Sequence, residues 1–154
     1  MPGAFGHQQW LLIALVFLGI MGYIVWIRWR DHRWVDRRFG RDKLLAMSFG
    51  VNYFGRASEA KPPRRSSGFL LLLPDRLVYR SRMARLELEI LGSSMVRVYP
   101  DTTHKGVDLH QSVLKIDYIN PDDQRDCVAF RLPYPPQWVH LIENNLLTKK
   151  AQTG

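Results

Sequence analysis

The side chains with the clearest chemical potential lie in one polar stretch, residues 101–112. Two aspartates and two histidines, of the types that ligate metals, share it: Asp101, His104, Asp108 and His110. Asp108, His110 and Ser112 also have the residue types of a hydrolytic triad. A metal site needs three or four ligands with supporting contacts, and a triad serine of this kind follows a nucleophile-elbow pattern. Neither pattern surrounds these residues, so we predict no catalytic residue and no metal ligand.

Sequence motifs that bind cofactors are also missing. The chain contains no CxxC, HExxH, GxGxxG or P-loop pattern. Cys127 is the single cysteine, so no internal disulfide is possible, in agreement with a reducing compartment. The sequence therefore favours a protein that is not an enzyme and that carries no cofactor.

A basic loop is the next candidate site. Residues 58–67 (SEAKPPRRSS) are polar and contain two prolines, which is typical of a loop, and they carry Lys61, Arg64 and Arg65. Each basic side chain near an anionic membrane surface contributes about 1 kcal/mol of attraction. We therefore predict weak contact with anionic headgroups, the alternative being a loop that is merely solvated.

Position relative to a membrane is indicated by residues 10–27 (WLLIALVFLGIMGYIVWI), which contain no charged side chain. Eighteen helical residues rise about 27 Å, close to the thickness of a bilayer core. Trp10 and Trp26 stand near the two ends, where an aromatic belt forms. We predict a transmembrane helix. The alternatives are a buried core helix, which rarely stays apolar on every face, and a cleaved signal peptide, which needs a basic start.

The flank of this run, residues 28–43, holds seven basic and three acidic side chains, which is +4 of the net charge of +8. Residues 1–9 hold no Lys, Arg, Asp or Glu, so the positive-inside rule predicts an extracytoplasmic N-terminus and a cytoplasmic C-terminal domain at the inner membrane. Headgroup contact and a solvated stop-transfer flank both fit this segment. The residues expected at the membrane interface are Trp10, Trp26, Arg28, Trp29, Arg30, Arg33 and Trp34.

From residue 44 the apolar pattern changes to the period of strands, and we predict one domain over residues 44–148 with a polar, frayed tail at 149–154. Alternating stretches such as RLELEI indicate half-buried strands, and the continuous run GFLLLL indicates a strand buried on both faces. Residues 100–109 are predicted to be a polar loop. The predicted strands cover residues 51–57, 68–73, 76–81, 85–90, 95–99, 113–119 and 126–132.

The domain ends in a predicted helix over residues 136–147. Prolines suit its first turn, and an apolar stripe at helical spacing contains Trp138, the expected anchor of the helix. The helix has no Lys or Arg, so it is not a basic recognition helix, and nucleic acid is excluded as a partner although the pI is near 10.0.

Seven short antiparallel strands followed by one amphipathic helix resemble the pleckstrin-homology (PH) superfold, and most closely bacterial GRAM-like and PH-like domains. The resemblance covers about residues 48–147 and rests on VNYFGR, GFLLLLPDRLVYRS, LELEILGSSMVRV, LKIDY, CVAFRL and the helix with Trp138. It implies a seven-stranded, bent antiparallel barrel capped by the C-terminal helix, and a role in binding lipid headgroups, peptides or proteins. In lipid-binding members a basic pattern runs from the first loop into the second strand. Here GFLLLL carries no basic residue, which argues against selective phosphoinositide binding.

Two functions remain open. The first is a membrane-anchored binding or scaffold module on the cytoplasmic face, which recruits a protein partner or touches membrane lipid. The second is an accessory subunit that braces the cytoplasmic side of a larger membrane complex, such as a respiratory, photosynthetic or secretion assembly.

Overall fold

The chain forms two units that divide between Asp42 and Lys43. The computed structural model describes residues 6–60, 65–83 and 85–153.

Helix α1 (Gly6–Phe39) makes up almost the whole of the first unit. Its most apolar 18-residue window has a mean hydropathy of 2.5, and the helix is long and apolar enough to cross a membrane, a property that signal sequences share. The helix continues through the basic flank without a break, because neither glycine nor proline occurs between Gly22 and Gly40. Gly40 then adopts φ +76°, and its N–H donates to the Asp36 carbonyl at 3.2 Å, which is a left-handed helix end.

The second unit is built on a sheet whose described residues form seven strands in the order β4-β3-β2-β1-β7-β6-β5, every pair antiparallel. β1 starts earlier than predicted, because residues 46–49 continue the ladder with β2 across a bulge at Gly50, whose φ is +67°. The strands are β1 (Ala46–Arg56), β2 (Ser66–Leu72), β3 (Arg76–Ser81), β4 (Glu87–Leu91), β5 (Met95–His104), β6 (Val107–Ile119) and β7 (Arg125–Arg131).

The expected number of strands, their antiparallel pairing and the C-terminal helix are confirmed. The barrel implied by the resemblance is not closed, since β4 and β5 are the two edges of the sheet among the described residues. The turn Gly92–Ser94 separates them, and the chain then begins β5 opposite β6, with Met95 paired to Tyr118. The sheet is therefore open between β4 and β5.

The core lies on one face of this sheet and joins side chains from all seven strands to the C-terminal helix. β2 is buried on both faces, as its continuous apolar run predicts: Leu70 and Leu72 lie in the core, and Phe69 and Leu71 on the other face are buried too. A smaller cluster of Phe54, Val113 and Ala129 forms apart from the main core.

The loop predicted over residues 100–109 is wrong. β5 continues to His104 and β6 begins at Val107, so two residues, Lys105 and Gly106, make the turn. Both have positive φ, +53° and +73°, as two-residue turns of this type require. Pro100 is tolerated in the strand because β5 is a sheet edge.

The C-terminal helix begins at Pro135 rather than at residue 136. It consists of α2 (Pro135–Ile142), a π-helical turn (Glu143–Leu147) and α3 (Thr148–Thr153). The expected frayed tail is thus helical up to Thr153. The π-helical turn carries buried Leu146, and a Cβ placed on Gly92 would come within 3.2 Å of the Leu146 side chain. Glycine at position 92 lets the helix pack against the turn between β4 and β5.

Candidate binding surface at one end of the sheet

Two loops, β1–β2 and β3–β4, meet at one end of the sheet. The hydroxyl oxygens of Ser66 and Ser81 are 2.8 Å apart, and the N–H of Arg82 donates to the carbonyl of Ser67 at 3.0 Å. The Tyr79 hydroxyl, in the core below, donates to the carbonyl of Ser66 at 2.8 Å. These bonds fix the end of the β1–β2 loop beside the start of the β3–β4 loop.

The joined loops present basic and apolar side chains to solvent. Arg65 and Arg85 are exposed, Arg82 is half-buried, and the side chain of Met83 is 95 % exposed. We call these four residues the basic loop surface. Of the predicted headgroup residues, Arg65 belongs to it, whereas Lys61 and Arg64 lie outside the described residues.

Sequence reasoning missed the contribution of the β3–β4 loop. The sequence indicates the hairpin formed by GFLLLL and RLVYRS. Pairing of Gly68 with Ser81 in this hairpin brings the residues before β2 next to those after β3. Only the register of that hairpin, which the sequence pattern does not specify, reveals the neighbourhood.

The first residues of the β1–β2 loop are tied to β7. The N–H of Ala57 donates to the Cys127 carbonyl at 2.7 Å, and Ser58 donates to the carboxylate of Asp126 from its N–H at 3.1 Å and from its hydroxyl at 2.6 Å. Burial opposes ionisation of Asp126, but the hydrogen bonds from Ser58 and from the Cys127 N–H prevail and lower its pKa. These hydrogen bonds hold Ala57 and Ser58, which we call the loop base, against β7.

The tip of the β5–β6 hairpin holds the same base from another side. Nε2 of His104 lies 2.9 Å from the carbonyl oxygen of Gly55, and Nζ of Lys105 donates to the Glu59 carbonyl at 3.1 Å. A carbonyl can only accept, so Nε2 of His104 carries a proton. Burial lowers the pKa of His104, whose surface is 1 % exposed, and the lysine charges of Lys115 and Lys105 add to this effect. The ring is accordingly a neutral structural group.

The four residues with metal-ligating side chains in the stretch 101–112 do not converge on one site. His104 points to Gly55, whereas the His110 ring is exposed and pairs with Asp108 at 3.2 Å. Asp101 binds Lys115 at 3.0 Å, and hydrogen bonds from Lys115 and the Thr102 N–H lower its pKa to about 2. Across residues 6–60, 65–83 and 85–153, no group of three or more His, Cys, Asp or Glu side chains could hold a metal ion.

A shallow cleft of about 420 Å³ lies beside the loop base and is lined by Ala57, Ser58, Asp117, Arg125, Asp126 and Cys127. Asp117 contacts Arg125 at 3.1 Å and Arg97 at 3.5 Å, and Asp126 accepts the hydrogen bonds from Ser58. Burial and the neighbouring Asp117 carboxylate raise the pKa of the Cys127 thiol to about 12. The thiol is protonated at neutral pH and is a poor nucleophile.

The residues predicted at the membrane interface lie on α1. Trp10 is exposed beside the N-terminal end of the apolar run, and Trp26 and Trp29 are about half exposed at the other end, 51 % and 52 %. The guanidinium of Arg33 stacks on Trp29 with Cζ 3.8 Å from the ring centroid, and that of Arg30 lies 5.2 Å from Trp26. The flanking residues Arg28 and Arg33 are exposed, and Trp34 is half-buried.

Trp138 lies at the centre of α2 and is 7 % exposed. Its ring belongs to the main core together with Ile142 and Leu146, one and two helical turns further on. The position is that of a side chain that holds the helix on the sheet.

No known protein family and no curated protein sequence matches this chain. Solved structures match its fold. The C-terminal domain of an unknown protein from Leishmania infantum has 13% sequence identity and a TM-score of 0.49 over 68% of this chain and 84% of that chain. A chain of the 8S snRNP assembly intermediate has 8% identity and a TM-score of 0.51, covering 71% and 83%. The N-terminal PH domain of Vps36 has 12% identity and a TM-score of 0.49, covering 69% and 80%. At such identities these structures are informative about the fold alone.

Proposed function

We propose that the chain is a membrane-anchored, non-enzymatic binding or scaffold module with a PH-like domain on the cytoplasmic face. The observation that carries this proposal is the basic loop surface, where two loops fixed to each other present arginines and an exposed methionine. Arginine with an adaptable, fully exposed apolar side chain is a combination suited to a partner surface.

Anchoring is supported by α1, whose apolar window has no buried residue. A signal sequence is the competing explanation, and the basic flank argues against it, because the helix continues unbroken for twelve residues beyond Ile27. The seven basic residues that follow the apolar run favour a cytoplasmic position for the domain.

The PH-like assignment is supported by the strand order and by the C-terminal helix that covers the core face of an open sheet. The non-enzymatic assignment is supported by the cleft beside the loop base, where Asp117 is paired with Arg125 and the Cys127 thiol stays protonated.

The location of the basic loop surface bears on its partner. The chain enters β1 at Ala46, which pairs with Leu72, whereas the loops lie at the other end, where Tyr53 pairs with Ser66. The seven residue steps from Ala46 to Tyr53 separate the two ends by about 23 Å. A protein partner can engage a surface so far from the tether, whereas lipid contact requires the sheet to lie along the bilayer.

An accessory-subunit role is the second candidate, and one observation favours it. Tyr134, 73 % exposed, precedes α2 in a left-handed conformation with φ +55°, and exposed Leu141 lies two turns further on. Aromatic side chains presented in this way are typical of protein interfaces. In this role the domain would contact neighbouring subunits permanently.

Labelling of the full chain tests the binding surface. We would replace Met83→Cys in a Cys127→Ser background, attach an environment-sensitive fluorophore and compare nanodiscs with and without phosphatidylglycerol. Leu91→Cys, also exposed but at the opposite end of the sheet, is the matched control. A blue shift at position 83 alone in anionic discs indicates headgroup contact.

Purification in mild detergent completes the test. A chain that emerges largely alone but whose label at position 83 is shielded on adding membrane extract supports a recruiting module. A stoichiometric complex supports the accessory-subunit role. A label that stays in water under every condition would contradict a binding role for the loops.

A further inference from the structure

In the basic flank of α1 the residue types differ from one face of the helix to the other. At 100° per residue, five residues fall within an arc of about 100°: Trp26, Trp29, Arg30, Arg33 and Arg37. Asp31 and Asp36 lie outside this arc, and Asp36 pairs with Arg41 at 3.4 Å. Asp31 reaches Arg30 only at 3.9 Å. One face of the helix therefore concentrates arginine and tryptophan.

Two of the three arginines of this face are positioned by the tryptophans one turn before them. Arg33 stacks on Trp29 at 3.8 Å and Arg30 lies over Trp26 at 5.2 Å. Stacking occupies the flat side of a guanidinium and leaves its N–H edge directed outward, which is the edge that a phosphate oxygen accepts from. The geometry restrains the side chains before any ligand arrives, so less conformational entropy is lost on binding.

Depth in the membrane decides which of these arginines can contact lipid. This inference rests on the transmembrane position of α1 in the proposed function. Arg30 and Arg33 lie about 4.5 and 9 Å beyond Ile27 along the helix, and Arg37 about 15 Å. The headgroup layer is roughly 5–7 Å thick on each side of the hydrocarbon core. Arg30 therefore lies within the headgroup layer. Arg33 begins about 2 Å beyond it, and its side chain reaches back to the phosphates because helical side chains lean towards the N-terminus of the helix, here the membrane side. The two tryptophan rings lie at the boundary to the acyl chains.

We propose that Trp26, Trp29, Arg30 and Arg33 form a binding site for the headgroup of an anionic phospholipid. Two guanidinium groups face one phosphate, so the site retains positive charge when a single phosphate is bound. A zwitterionic headgroup adds an ammonium group that this charge repels, whereas the headgroup of phosphatidylglycerol adds none. The site thus selects anionic over zwitterionic lipid, and the tryptophans cover the glycerol region.

The chain offers a matched control for the charge. Arg28 stands in the same flank but about 160° around the helix from Arg30. Arg28→Gln and Arg33→Gln remove equal charge, one outside the proposed site and one inside it. Trp29→Leu keeps every charge and removes the ring on which Arg33 stacks.

Native mass spectrometry of the full chain in mild detergent, titrated with phosphatidylglycerol or phosphatidylcholine, measures the site directly. Wild type should retain phosphatidylglycerol preferentially. Arg33→Gln should weaken that retention about fivefold, the equivalent of about 1 kcal/mol for one basic side chain, and Trp29→Leu should weaken it measurably. Arg28→Gln should leave it within twofold of wild type.

Equal losses for Arg28→Gln and Arg33→Gln would show a non-specific basic flank and overturn the site, as would equal retention of the two lipids. Carbonate extraction of cell membranes separates this failure from that of the proposed function. A chain that resists extraction but shows no lipid preference overturns the site alone. A chain released by carbonate overturns the transmembrane position and the site with it.

Discussion

α1 and β2 each contain an uninterrupted apolar run, and the two runs have opposite exposures. In β2, Leu70, Leu71 and Leu72 are all fully buried. In α1, the most apolar 18-residue window contains no buried residue, and Leu15 and Leu18 are largely exposed. In β2 other residues of the chain surround the leucines with apolar atoms, whereas in α1 the chain does not cover them.

The contrast in burial between these two runs follows from their length and their secondary structure. The run GFLLLL, residues 68–73, has six residues and lies almost wholly in β2, which hydrogen-bonded β1 and β3 cover on both sides. A run three times as long on a helix exposes apolar side chains around the whole circumference, which a small domain cannot cover. In our proposal the bilayer supplies the missing environment of α1, and substitutions in the two regions should act on different equilibria.

The largest effect is expected from tryptophan truncation in the domain. Trp138→Ala removes a buried ring from the core and should destabilise the domain by about 3–5 kcal/mol, a large part of the roughly 5–15 kcal/mol that holds such a domain folded. Thermal unfolding of the full chain in detergent, followed by near-ultraviolet circular dichroism, measures it. Trp29→Ala, on exposed α1 surface, is the control and should leave the domain transition unchanged. Equal transitions for Trp138→Ala and wild type would mean that the helix does not hold the core.

A charge placed in α1 should act on membrane insertion instead. Leu18→Arg puts a guanidinium at the middle of the apolar run and should disfavour insertion by about 2.5–3.5 kcal/mol. The domain transition in detergent should stay that of wild type. Membrane fractionation together with thermal unfolding distinguishes the two equilibria. Normal insertion of Leu18→Arg would argue against a spanning helix.

Glycine-to-alanine substitutions should affect stability in one region and not in the other. A Cβ on Gly68 would lie 2.0 Å from the carbonyl oxygen of Arg80, so Gly68→Ala should destabilise the β2–β3 pair by about 1–3 kcal/mol. Gly19 has nothing within 4 Å of the corresponding position, so Gly19→Ala should be tolerated. Both variants are compared by thermal unfolding, and a stable Gly68→Ala domain would disprove the close β2–β3 packing.

The smallest effect concerns histidine and pH. His104 is buried and His32 of α1 is exposed. Because the folded state lowers the pKa of His104, the unfolded chain binds more protons below the ordinary histidine pKa of about 6.5. Domain stability should therefore be complete above that pH and decline as the pH falls from 6.5 towards the folded pKa.

The variant His104→Gln isolates this contribution, since its amide can still donate to the Gly55 carbonyl without titrating. Denaturant unfolding between pH 5 and 7.5 should show a shallower decline for His104→Gln than for wild type. Identical profiles would mean that His104 titrates normally and that the hairpin tip does not bury it.

How far the sequence predicts this structure depends on whether the relevant contact is local. The apolar run of α1 and the alternation of RLELEI are local patterns, and they predict a helix and a strand where these occur. Residues 100–109 were predicted to be a loop because polar residues and Pro100 conceal an edge strand. The turn signal was Lys105-Gly106, two residues that adopt positive φ.

The candidate site was predicted only in part for the same reason. Arg65 follows two prolines in a polar stretch, so the sequence identifies its loop. Arg82, Met83 and Arg85 join it through the pairing of β2 with β3, and the Ser58 contact with Asp126 spans 68 positions of chain. Long-range register is decided by packing of the whole core, which a single sequence does not display.

The central claim is that α1 spans a membrane and leaves the domain on the cytoplasmic side. The most direct measurement fuses, after Gly154, a dual reporter whose two halves are active on opposite sides of a bacterial inner membrane, and assays membrane and soluble fractions separately. If α1 has this topology, the fusion should be uncleaved, remain in the membrane fraction and show cytoplasmic activity alone. Activity on the outer side, or a soluble fusion shortened by removal of residues 1–27, would contradict it.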